Sequence, residues 1–201
     1  VQVGKSVQES GADRYSLADT VGCLTPTKTK ELVSRIITEL DIPIHVHCHN
    51  DFGMATANAL SALEAGAQCV DVAVNGLGER CGLPPIAEVV IALVNIYKVN
   101  GNWDLSILPE LTHLVGSFSN LQLKANQPIV GENAFTHKAG LHVKAVAKDP
   151  RSYEAISPET LNRKRKLIID KYTSSYALKN KFNEIGVSLT KMELAAVLKK
   201  L

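Results

Sequence analysis

Residues 42–53 read Ile-Pro-Ile-His-Val-His-Cys-His-Asn-Asp-Phe-Gly, and they carry the strongest structural signal in the chain. Residues 42–44 suit the start of a buried β-strand, and residues 50–53 suit a turn that leads into a helix. The histidines at 45, 47 and 49 occupy alternate positions, and a strand points alternate side chains to one face. The stretch therefore predicts a strand that carries a row of three imidazoles.

Helix-like and strand-like segments alternate on both sides of this strand. Residues 28–40, 54–65 and 85–99 carry apolar side chains at helical spacing. Residues 9–19 and 64–74 echo each other, because each segment places a glycine at a helix end and a short apolar strand after it. The alternation predicts parallel strands that are joined by crossover helices.

Two architectures fit this alternation, a doubly wound sheet and a (β/α)8 barrel. No glycine-rich phosphate-binding fingerprint follows a strand, which weakens the dinucleotide-binding version of the doubly wound sheet. Three strands cannot close a barrel, so the barrel interpretation requires further strands. The sequence begins at Val1 without methionine, and we expect it to be a piece of a longer protein.

The character of the sequence changes after residue 101. Residues 119–142 read as irregular, and Thr190 with Glu193 forms a capping-box pattern at the start of a helix. The basic run at 162–166 is interpreted as a solvated surface segment or turn rather than a nucleic-acid patch. Three helices are predicted in this half, at residues 106–118, 174–185 and 190–200.

The composition of the chain limits the classes of protein to which it can belong. The 201 residues are 45% hydrophobic and 21% charged, and the formal net charge of +2 gives no reason to expect a nucleic-acid or membrane partner. No apolar run is long enough to span a bilayer, and no signal-peptide pattern opens the chain. The four cysteines lack metal-type spacing and are predicted to be reduced thiols of an intracellular protein.

His47 and His49 are the strongest candidate metal ligands. Two imidazoles at the C-terminal end of a buried strand can hold one divalent ion, and barrel enzymes place their chemistry at this end. Two ligands are too few for a tight site, so a carboxylate from elsewhere is expected, and no obvious third ligand stands out in the chain. The alternative is a histidine pair that is hydrogen-bonded in a polar pocket. For His45, deeper on the same face, a role in filling the core is favoured.

Three other segments combine residue types that bind ligands or form turns. Asp19 and Thr20 end the first strand, where Thr20 can donate to a substrate carboxylate or both can serve as turn and helix caps. Glu79 and Arg80 follow the third strand among glycines, and a structural salt bridge between them is favoured. The loop at residues 131–142 contains two histidines and a lysine, which can supply a general acid or base or form a capped loop.

Together these residues resemble the 2-isopropylmalate synthase/homocitrate synthase family of TIM-barrel, metal-dependent acyltransferases. The matching motifs are residues 45–53, Ala57-Asn58, Glu64-Ala65-Gly66-Ala67, Gly76-Leu77-Gly78-Glu79-Arg80 and residues 135–142. The resemblance implies an α/β fold, in which residues 1–101 form the C-terminal part of a (β/α)8 barrel with about three βα units. A mostly helical linker with the His-rich loop would follow over residues 102–156, and a small helical subdomain over residues 157–201.

Two departures within the family favour homocitrate synthase. Lys138-Ala139 stands where isopropylmalate synthases typically have Glu-Ser, and Leu83 stands where they usually have a metal-binding asparagine. The segment Gly78-Glu79-Arg80 argues against the related 3-hydroxy-3-methylglutaryl-CoA lyase, which has Gly-Gly-Cys there.

The resemblance also implies roles for single residues. His47 and His49 correspond to ligands of a divalent cation (Zn, Mg, Mn or Co), and Thr20 corresponds to a threonine that binds the oxo-acid carboxylate. His142 corresponds to a catalytic histidine that reaches into the partner subunit's barrel, and Tyr153 to a tyrosine near that site. The family's Arg-Asp or Arg-Glu pair and its catalytic glutamate have no counterpart in this sequence.

The implied activity is a Claisen condensation of acetyl-CoA with a 2-oxo acid in amino-acid biosynthesis. The favoured substrate is 2-oxoglutarate, which gives homocitrate on the lysine pathway, and a 2-isopropylmalate, citramalate or citrate synthase is the alternative. The resemblance implies a cytoplasmic homodimer without a nucleic-acid or membrane partner. Two further hypotheses stay open: a non-catalytic folding or dimerisation fragment, and a metal-dependent aldolase or lyase.

Overall fold

The computed structural model describes residues 1–137, 145, 149–169 and 173–200. The described residues form two compact units. The first comprises residues 1–101 and 111–121, and the second comprises residues 102–110 and 122–201. The predicted three-part division at residues 101 and 156 stays a prediction.

The first unit contains a three-stranded parallel sheet. Strand β1 (Tyr15–Asp19) pairs with β2 (Ile44–Cys48), and β2 pairs with β3 (Cys69–Val70). The register sets Ser16 opposite His45, and His45 opposite Cys69. The α/β alternation with parallel strands that the sequence predicts is thereby confirmed. The α-helices up to residue 119 are α1 (Gln2–Glu9), α2 (Pro26–Ile37), α3 (Ala55–Glu64), α4 (Ile86–Asn95) and α5 (Leu108–Ser119).

Local caps explain where α2 and α3 begin. Thr25 Oγ1 accepts a hydrogen bond from Lys28 N at 3.3 Å, and Pro26 occupies the first turn of α2, where no N–H is needed. Asn50 Oδ1 accepts from Ala55 N at 3.1 Å at the start of α3. Each cap satisfies an amide that the helix leaves unpaired, so the chain turns from a strand end into a helix within a few residues.

The core of the first unit lies against one face of β2. Ile44 and Val46 are 1% and 3% exposed. Because side chains alternate along a strand, His45 and His47 point to the opposite face. The packing of β2 therefore separates an apolar face from a face that carries the imidazole row. The buried apolar cluster contains Val33, Ile36, Leu40, Ile44, Val46, Cys48, Ala55, Ala62 and Ala67.

Strand β3 is shorter than the sequence predicts. The apolar pattern extends to Val74, but only Cys69–Val70 form a strand, and Asp71 N then donates to Val46 O at 3.0 Å. Residues Val74–Gly76 form a 3-10 helix in which Asn75 has a left-handed φ of 60°. The pairing with β2 ends after Asp71 although the apolar side chains continue, so apolar character alone does not fix the strand end.

The second unit combines short helices with a two-stranded parallel sheet. Helices α6 (Ser175–Glu184) and α7 (Lys191–Leu198) agree with the predicted helical segments. The predicted capping box at α7 is confirmed, because Thr190 Oγ1 accepts from Glu193 N at 3.3 Å and Glu193 Oε2 accepts from Thr190 N at 2.8 Å. Strands β4 (Thr136–His137) and β5 (Lys166–Leu167) were not predicted, because two residues carry no readable periodicity.

Shorter elements complete the described secondary structure. The 3-10 helices are Val74–Gly76, Leu105–Ile107, Glu132–Phe135, Pro150–Ser152 and Pro158–Leu161. In the described part of the chain, every helix is too short or too polar to cross a membrane.

The basic run at 162–166 is tied into the second unit. Arg163 donates to the carbonyls of Val130 and Gly131 at 3.1 Å and 2.8 Å, and its guanidinium lies 5.2 Å from the centre of the Phe135 ring. Arg165 is paired with Glu154. Asn162, Lys164 and Lys166 are exposed, as a surface segment or turn predicts, while carbonyls and carboxylates of neighbouring segments accept hydrogen bonds from the two half-buried arginines.

Candidate functional site

The imidazole row lies on the face of β2 that points away from the core. His45 and His47 lie within the strand, and His49 directly follows its last residue. His45 and His49 are both buried, whereas the His47 side chain is 29% exposed. The three rings thus run along one face to the carboxyl end of the strand, as the alternation predicts.

One carboxylate joins two of these rings. Asp71 Oδ1 lies 2.9 Å from His45 Nε2, and Asp71 Oδ2 lies 2.6 Å from His47 Nδ1. Asp71 directly follows β3, so the pairing of β2 with β3 brings it beside the row. On the other side, His45 Nδ1 lies 2.9 Å from Ser16 Oγ on β1. A continuous polar chain therefore crosses the sheet from β1 to β3.

The second edge of the His47 ring faces His49. The two Nε2 atoms lie 3.2 Å apart, and the rings meet edge to face at an interplanar angle of 69°. His49 Nδ1 is buried and has no hydrogen-bond partner among the described residues. Hydrogen bonding within the described protein therefore does not account for both nitrogens of His49, which weakens the interpretation of a self-contained polar pair.

The environment of the row fixes two charge states. Partial burial raises the pKa of the Asp71 carboxyl, but the hydrogen bonds from His47 and His45 together lower it by more, so this pKa lies below its ordinary value. Burial, followed by the charges of Asp19 and Asp71, raises the pKa of the Cys48 thiol to about 12. At neutral pH Asp71 is ionised and can only accept hydrogen bonds, while Cys48 remains a thiol.

The donor set fits part of a divalent-metal site. Two nitrogens that share one ion at about 2.1 Å lie roughly 3.0–3.4 Å apart, and the Nε2 atoms of His47 and His49 are 3.2 Å apart. Asp71 contacts Nδ1 of His47, on the ring edge opposite Nε2, so it cannot hold the same ion. Metal-binding imidazoles commonly donate their second ring N–H to a carboxylate in this way. Within the described ranges no cluster of three or more His, Cys, Asp or Glu side chains is arranged to hold a metal. The pair therefore supplies two ligands.

Arg80 connects the loops that follow the three strands. Its Nε lies 2.8 Å from Asp51 Oδ1 and its Nη2 lies 3.1 Å from Asp51 Oδ2, while Nη2 also donates to Thr20 O at 2.6 Å. Glu79, the predicted partner, is only a weak contact at 3.9 Å. The hydrogen bond from Arg80 holds the pKa of the Asp51 carboxyl below its ordinary value. The principal salt bridge of Arg80 thus joins two loops, which the sequence prediction missed.

Asp19 and Thr20 have different surroundings. Asp19 is buried, and its carboxylate accepts from Cys23 N at 3.1 Å and from Leu24 N at 2.9 Å, which is the predicted turn-capping role. Thr20 is exposed, and its backbone carbonyl is held by Arg80. The structure thus places Thr20 at the carboxyl end of β1, and its role toward a substrate stays a prediction.

Two glycines let these loops approach the strand ends. Gly22 has a φ of +64°, and a Cβ at this position would lie 2.5 Å from Asp51 Oδ2. Gly82 has a φ of +83°, and a Cβ there would lie 1.8 Å from Gly76 O. Neither position has room for a side chain. The backbone at Gly22 therefore packs against the Asp51 carboxylate, and the backbone at Gly82 packs against that of Gly76.

Of the remaining predicted site residues, Tyr153 belongs to the second unit. His142 lies outside the described residues. Tyr153 is 46% exposed and lines a cavity of about 340 Å³ together with His137 and Glu154. Glu154 is 4% exposed at its side chain, lies 3.0 Å from His137 Nε2 and is paired with Arg165. The catalytic roles of His142 and Tyr153 stay predictions.

Sequence reasoning missed Asp71 and Asp51 as parts of the site. Their partners His47 and Arg80 lie 24 and 29 residues away along the chain, so local patterns do not reveal the contacts. A usable signal was present, because both carboxylates follow the ends of neighbouring parallel strands, and such ends meet at one edge of a sheet.

Comparisons with known proteins cover both halves of the chain. A family model described as HMGL-like matches residues 1–115, and one described as homocitrate synthase post-HMGL domain-like matches residues 129–201. The two matches account for most of the sequence, and the resemblance to the 2-isopropylmalate synthase/homocitrate synthase family is confirmed.

Two curated relatives align with the whole chain. A homocitrate synthase of Sulfurisphaera tokodaii is 44% identical over 207 residues, which cover 100% of this chain and 44% of that protein. A probable 2-isopropylmalate synthase of Methanopyrus kandleri is 40% identical over 200 residues, which cover 100% of this chain and 40% of that protein. The chain thus spans less than half the length of these relatives.

One solved structure with a similar fold is the HMG-CoA lyase of Bacillus subtilis. Its TM-score is 0.55, its sequence identity is 20%, and the match covers 63% of this chain and 44% of that chain. At this level of identity the likeness concerns the fold alone.

Proposed function

Because the chain belongs to the HMGL-like family, we propose that it forms part of a metal-dependent acyltransferase that joins acetyl-CoA to a 2-oxo acid. Enzymes of this family are generally dependent on a divalent metal. Relatives that are named homocitrate synthase and 2-isopropylmalate synthase support this class of reaction. We take 2-oxoglutarate as the oxo acid, with homocitrate as the product, and 2-isopropylmalate, citramalate or citrate synthesis as the alternative.

The proposed architecture is the C-terminal part of a (β/α)8 barrel with about three βα units. The parallel strands β1, β2 and β3 pair in chain order, which is the order of neighbours in such a barrel. Residues 102–156 would be the linker, and residues 157–201 the small subdomain. The similarity in fold to an HMG-CoA lyase supports the barrel interpretation.

The observation that carries the proposal is the 3.2 Å approach of His47 Nε2 to His49 Nε2 at the carboxyl end of β2. These two residues would hold the divalent cation, whose identity among Zn, Mg, Mn and Co stays open because imidazole nitrogens with oxygen ligands suit several metals. When bound there, the cation would polarise the ketone oxygen of the 2-oxo acid.

The remaining steps are assigned to side chains of the protein. The Thr20 hydroxyl would donate a hydrogen bond to the oxo-acid carboxylate, and Arg80 supports it by holding the Thr20 carbonyl. The His142 imidazole would take a proton from the methyl carbon of acetyl-CoA, because imidazole titrates near neutral pH. The resulting enolate carbon would attack the ketone carbon, and the ketone oxygen would take up the proton held by His142 to become a hydroxyl. Water would then add to the thioester carbonyl, which leaves a carboxylate and releases CoA as the thiol. Tyr153 would lie near the reacting groups.

We place His142 and Tyr153 at the active site of a second copy, within a homodimer. This follows the family resemblance of the His-rich loop. Mixing an inactive His49→Ala protein with an inactive His142→Ala protein tests this arrangement. Hybrid dimers should regain CoA release at one of their two sites, and no regained activity would contradict it.

The test of the function is a pair of histidine variants in the full-length protein. His49→Ala should abolish the metal-dependent release of CoA from acetyl-CoA and 2-oxoglutarate, because one of the two ligands is lost. The matched control is His113→Ala, which removes an exposed histidine from α5 and should leave turnover unchanged. Unchanged turnover in His49→Ala would overturn the assignment of the metal site.

A second candidate is that the 201-residue chain by itself is a non-catalytic folding or dimerisation fragment. The observation in its favour is that the described residues offer only two metal ligands at the strand end. Assaying the isolated chain for CoA release decides the matter. Turnover comparable to that of a full-length synthase would refute this candidate.

A further inference from the structure

We propose that Asp71 is a positioning residue that forces His45 and His47 into opposite tautomers and thereby aims the Nε2 lone pair of His47 at His49. The proposal rests on the proposed function, because it gives this lone pair a divalent cation as its ligand. Asp71 touches the rings of two histidines and no atom on the His49 side of His47, so it acts through His47 rather than on a substrate.

The argument starts from the contacts of the Asp71 carboxylate. Its two oxygens lie 2.9 Å from His45 Nε2 and 2.6 Å from His47 Nδ1. An ionised carboxylate only accepts hydrogen bonds, so both ring nitrogens must donate. His45 therefore carries its proton on Nε2, and His47 carries its proton on Nδ1.

The rest of the chain of contacts agrees with this assignment. A neutral His45 with its proton on Nε2 has a lone pair on Nδ1, and Ser16 Oγ lies 2.9 Å from that atom with a hydroxyl proton to donate. A neutral His47 with its proton on Nδ1 has its lone pair on Nε2, the atom that lies 3.2 Å from His49 Nε2. The ring proton of each neutral histidine therefore lies on the nitrogen that faces Asp71, because the carboxylate between the two rings accepts both protons.

The burial of the site makes the assignment strict. The His45 side chain is 11% exposed, so solvent cannot easily satisfy a nitrogen that points the wrong way. In the reversed tautomer of either ring, a lone pair would face the Asp71 carboxylate and the hydrogen bond to it would be lost, which penalises that tautomer. In metal sites a carboxylate on the distal ring nitrogen orients the imidazole, and its loss typically weakens metal binding by about 10- to 100-fold.

The first experiment reads the tautomers without a metal. In the metal-free chain, ¹⁵N NMR at a fixed pH of about 8 should show protonated Nε2 for His45 and protonated Nδ1 for His47. Asp71→Ala should remove the preference of His47 for Nδ1, and Asp13→Ala, at an exposed aspartate, should leave both rings unchanged. A His47 ring that keeps its Nδ1 proton in Asp71→Ala would overturn the proposal.

The second experiment uses Asp71→Asn, which preserves the shape of the side chain. The asparagine amide offers one acceptor and one donor, so one of the two rings must reverse. In this variant His45 can reverse, because its Nδ1 proton can be accepted by Ser16 Oγ, and His47 should keep its tautomer. In Asp71→Asn with Ser16→Ala that acceptor is lost, so His47 should reverse instead. Equal His47 spectra in the single and double variants would contradict the proposed chain of contacts.

Calorimetric titration with Zn²⁺ separates this proposal from the proposed function. We expect Asp71→Ala to weaken Zn²⁺ binding by about 10- to 100-fold, with Asp13→Ala unchanged and His47→Ala with His49→Ala as the reference for a lost site. If Zn²⁺ binding requires the histidines but is equally tight in Asp71→Ala, the positioning role fails and the metal site stands. If Zn²⁺ binding does not depend on the histidines while the tautomers respond to Asp71, the proposed function fails and the tautomer assignment stands.

Discussion

The guanidinium of Arg80 meets the carboxylate of Asp51 through two contacts, of 2.8 Å and 3.1 Å, and the same guanidinium reaches the carbonyl of Thr20. The three residues lie after three different strands. Arg80 also has a left-handed φ of 57°, a conformation that non-glycine residues adopt rarely. The interaction therefore fixes the relative position of three loops at the candidate site.

Replacing Arg80 with lysine should weaken this connection while keeping the charge. Lysine cannot form the planar two-point contact, so we expect the free energy of unfolding, measured by urea denaturation, to fall. Arg151→Lys is the matched control, because Arg151 makes a similar two-point contact with Asp149 but its side chain is 89% exposed. Equal losses in the two variants would show that the loops do not depend on Arg80.

Substitution of Gly82 should be far more damaging than substitution of Gly11. Both have nearly the same left-handed φ, +83° and +84°, but a Cβ on Gly82 would collide with Gly76 O, and a Cβ on Gly11 meets nothing within 4 Å. We expect Gly11→Ala to cost about 1–2 kcal/mol in unfolding free energy and Gly82→Ala about 3 kcal/mol or more. Similar denaturation midpoints would contradict the close approach of the two backbone segments.

The four cysteines should differ in reactivity toward a thiol reagent. Cys23, Cys69 and Cys81 are exposed, whereas Cys48 is buried, and burial with two nearby carboxylates raises the pKa of its thiol to about 12. A disulfide-exchange reagent at pH 8 should label three thiols in the native chain and the fourth only after denaturant is added. Rapid labelling of Cys48 in the native chain would refute its placement in the core.

The carboxyl of Glu159 should titrate at unusually low pH. A hydrogen bond from Ser157, a backbone hydrogen bond and a hydrogen bond from Arg165 lower the pKa of Glu159 from 4.5 to about 2. Because the folded-state pKa is the lower one, the stabilisation is present above about pH 4.5 and is lost as the pH falls toward 2. ¹³C NMR of the side-chain carboxyl, followed from pH 7 to pH 2, measures this directly. Arg165→Gln should raise the pKa, and an unchanged midpoint would contradict the ion pair.

Much of the fold is encoded locally and could be predicted. The alternation of helical and strand patterns predicts that β1, β2 and β3 are parallel, and the pair Thr190 and Glu193 predicts the start of the last helix. These features depend on residues within a few positions of one another, which is why the sequence alone identifies them.

The contacts of the candidate site were harder to predict because they depend on register. His47 was identified from its own strand, but its partner Asp71 reaches it only because β2 and β3 pair in one particular alignment. The end of β3 was misplaced for a related reason, since its pairing with β2 stops after Asp71 although the apolar side chains continue to Val74. Pairing between distant segments leaves little trace in the local sequence.

The order of the strands also determines how the first unit can fold. Each strand pairs with the next strand along the chain. The contact of Ser16 with His45 spans 29 residues, and the contact of Ile44 with Gln68, which directly precedes β3, spans 24 residues. The loop-closure entropy of each pairing is therefore modest, and each βαβ step can form without waiting for a distant segment. The contact of Asp71 with His47 depends on the pairing of β3 with β2, so a substitution that loosens this edge of the sheet also loosens the site.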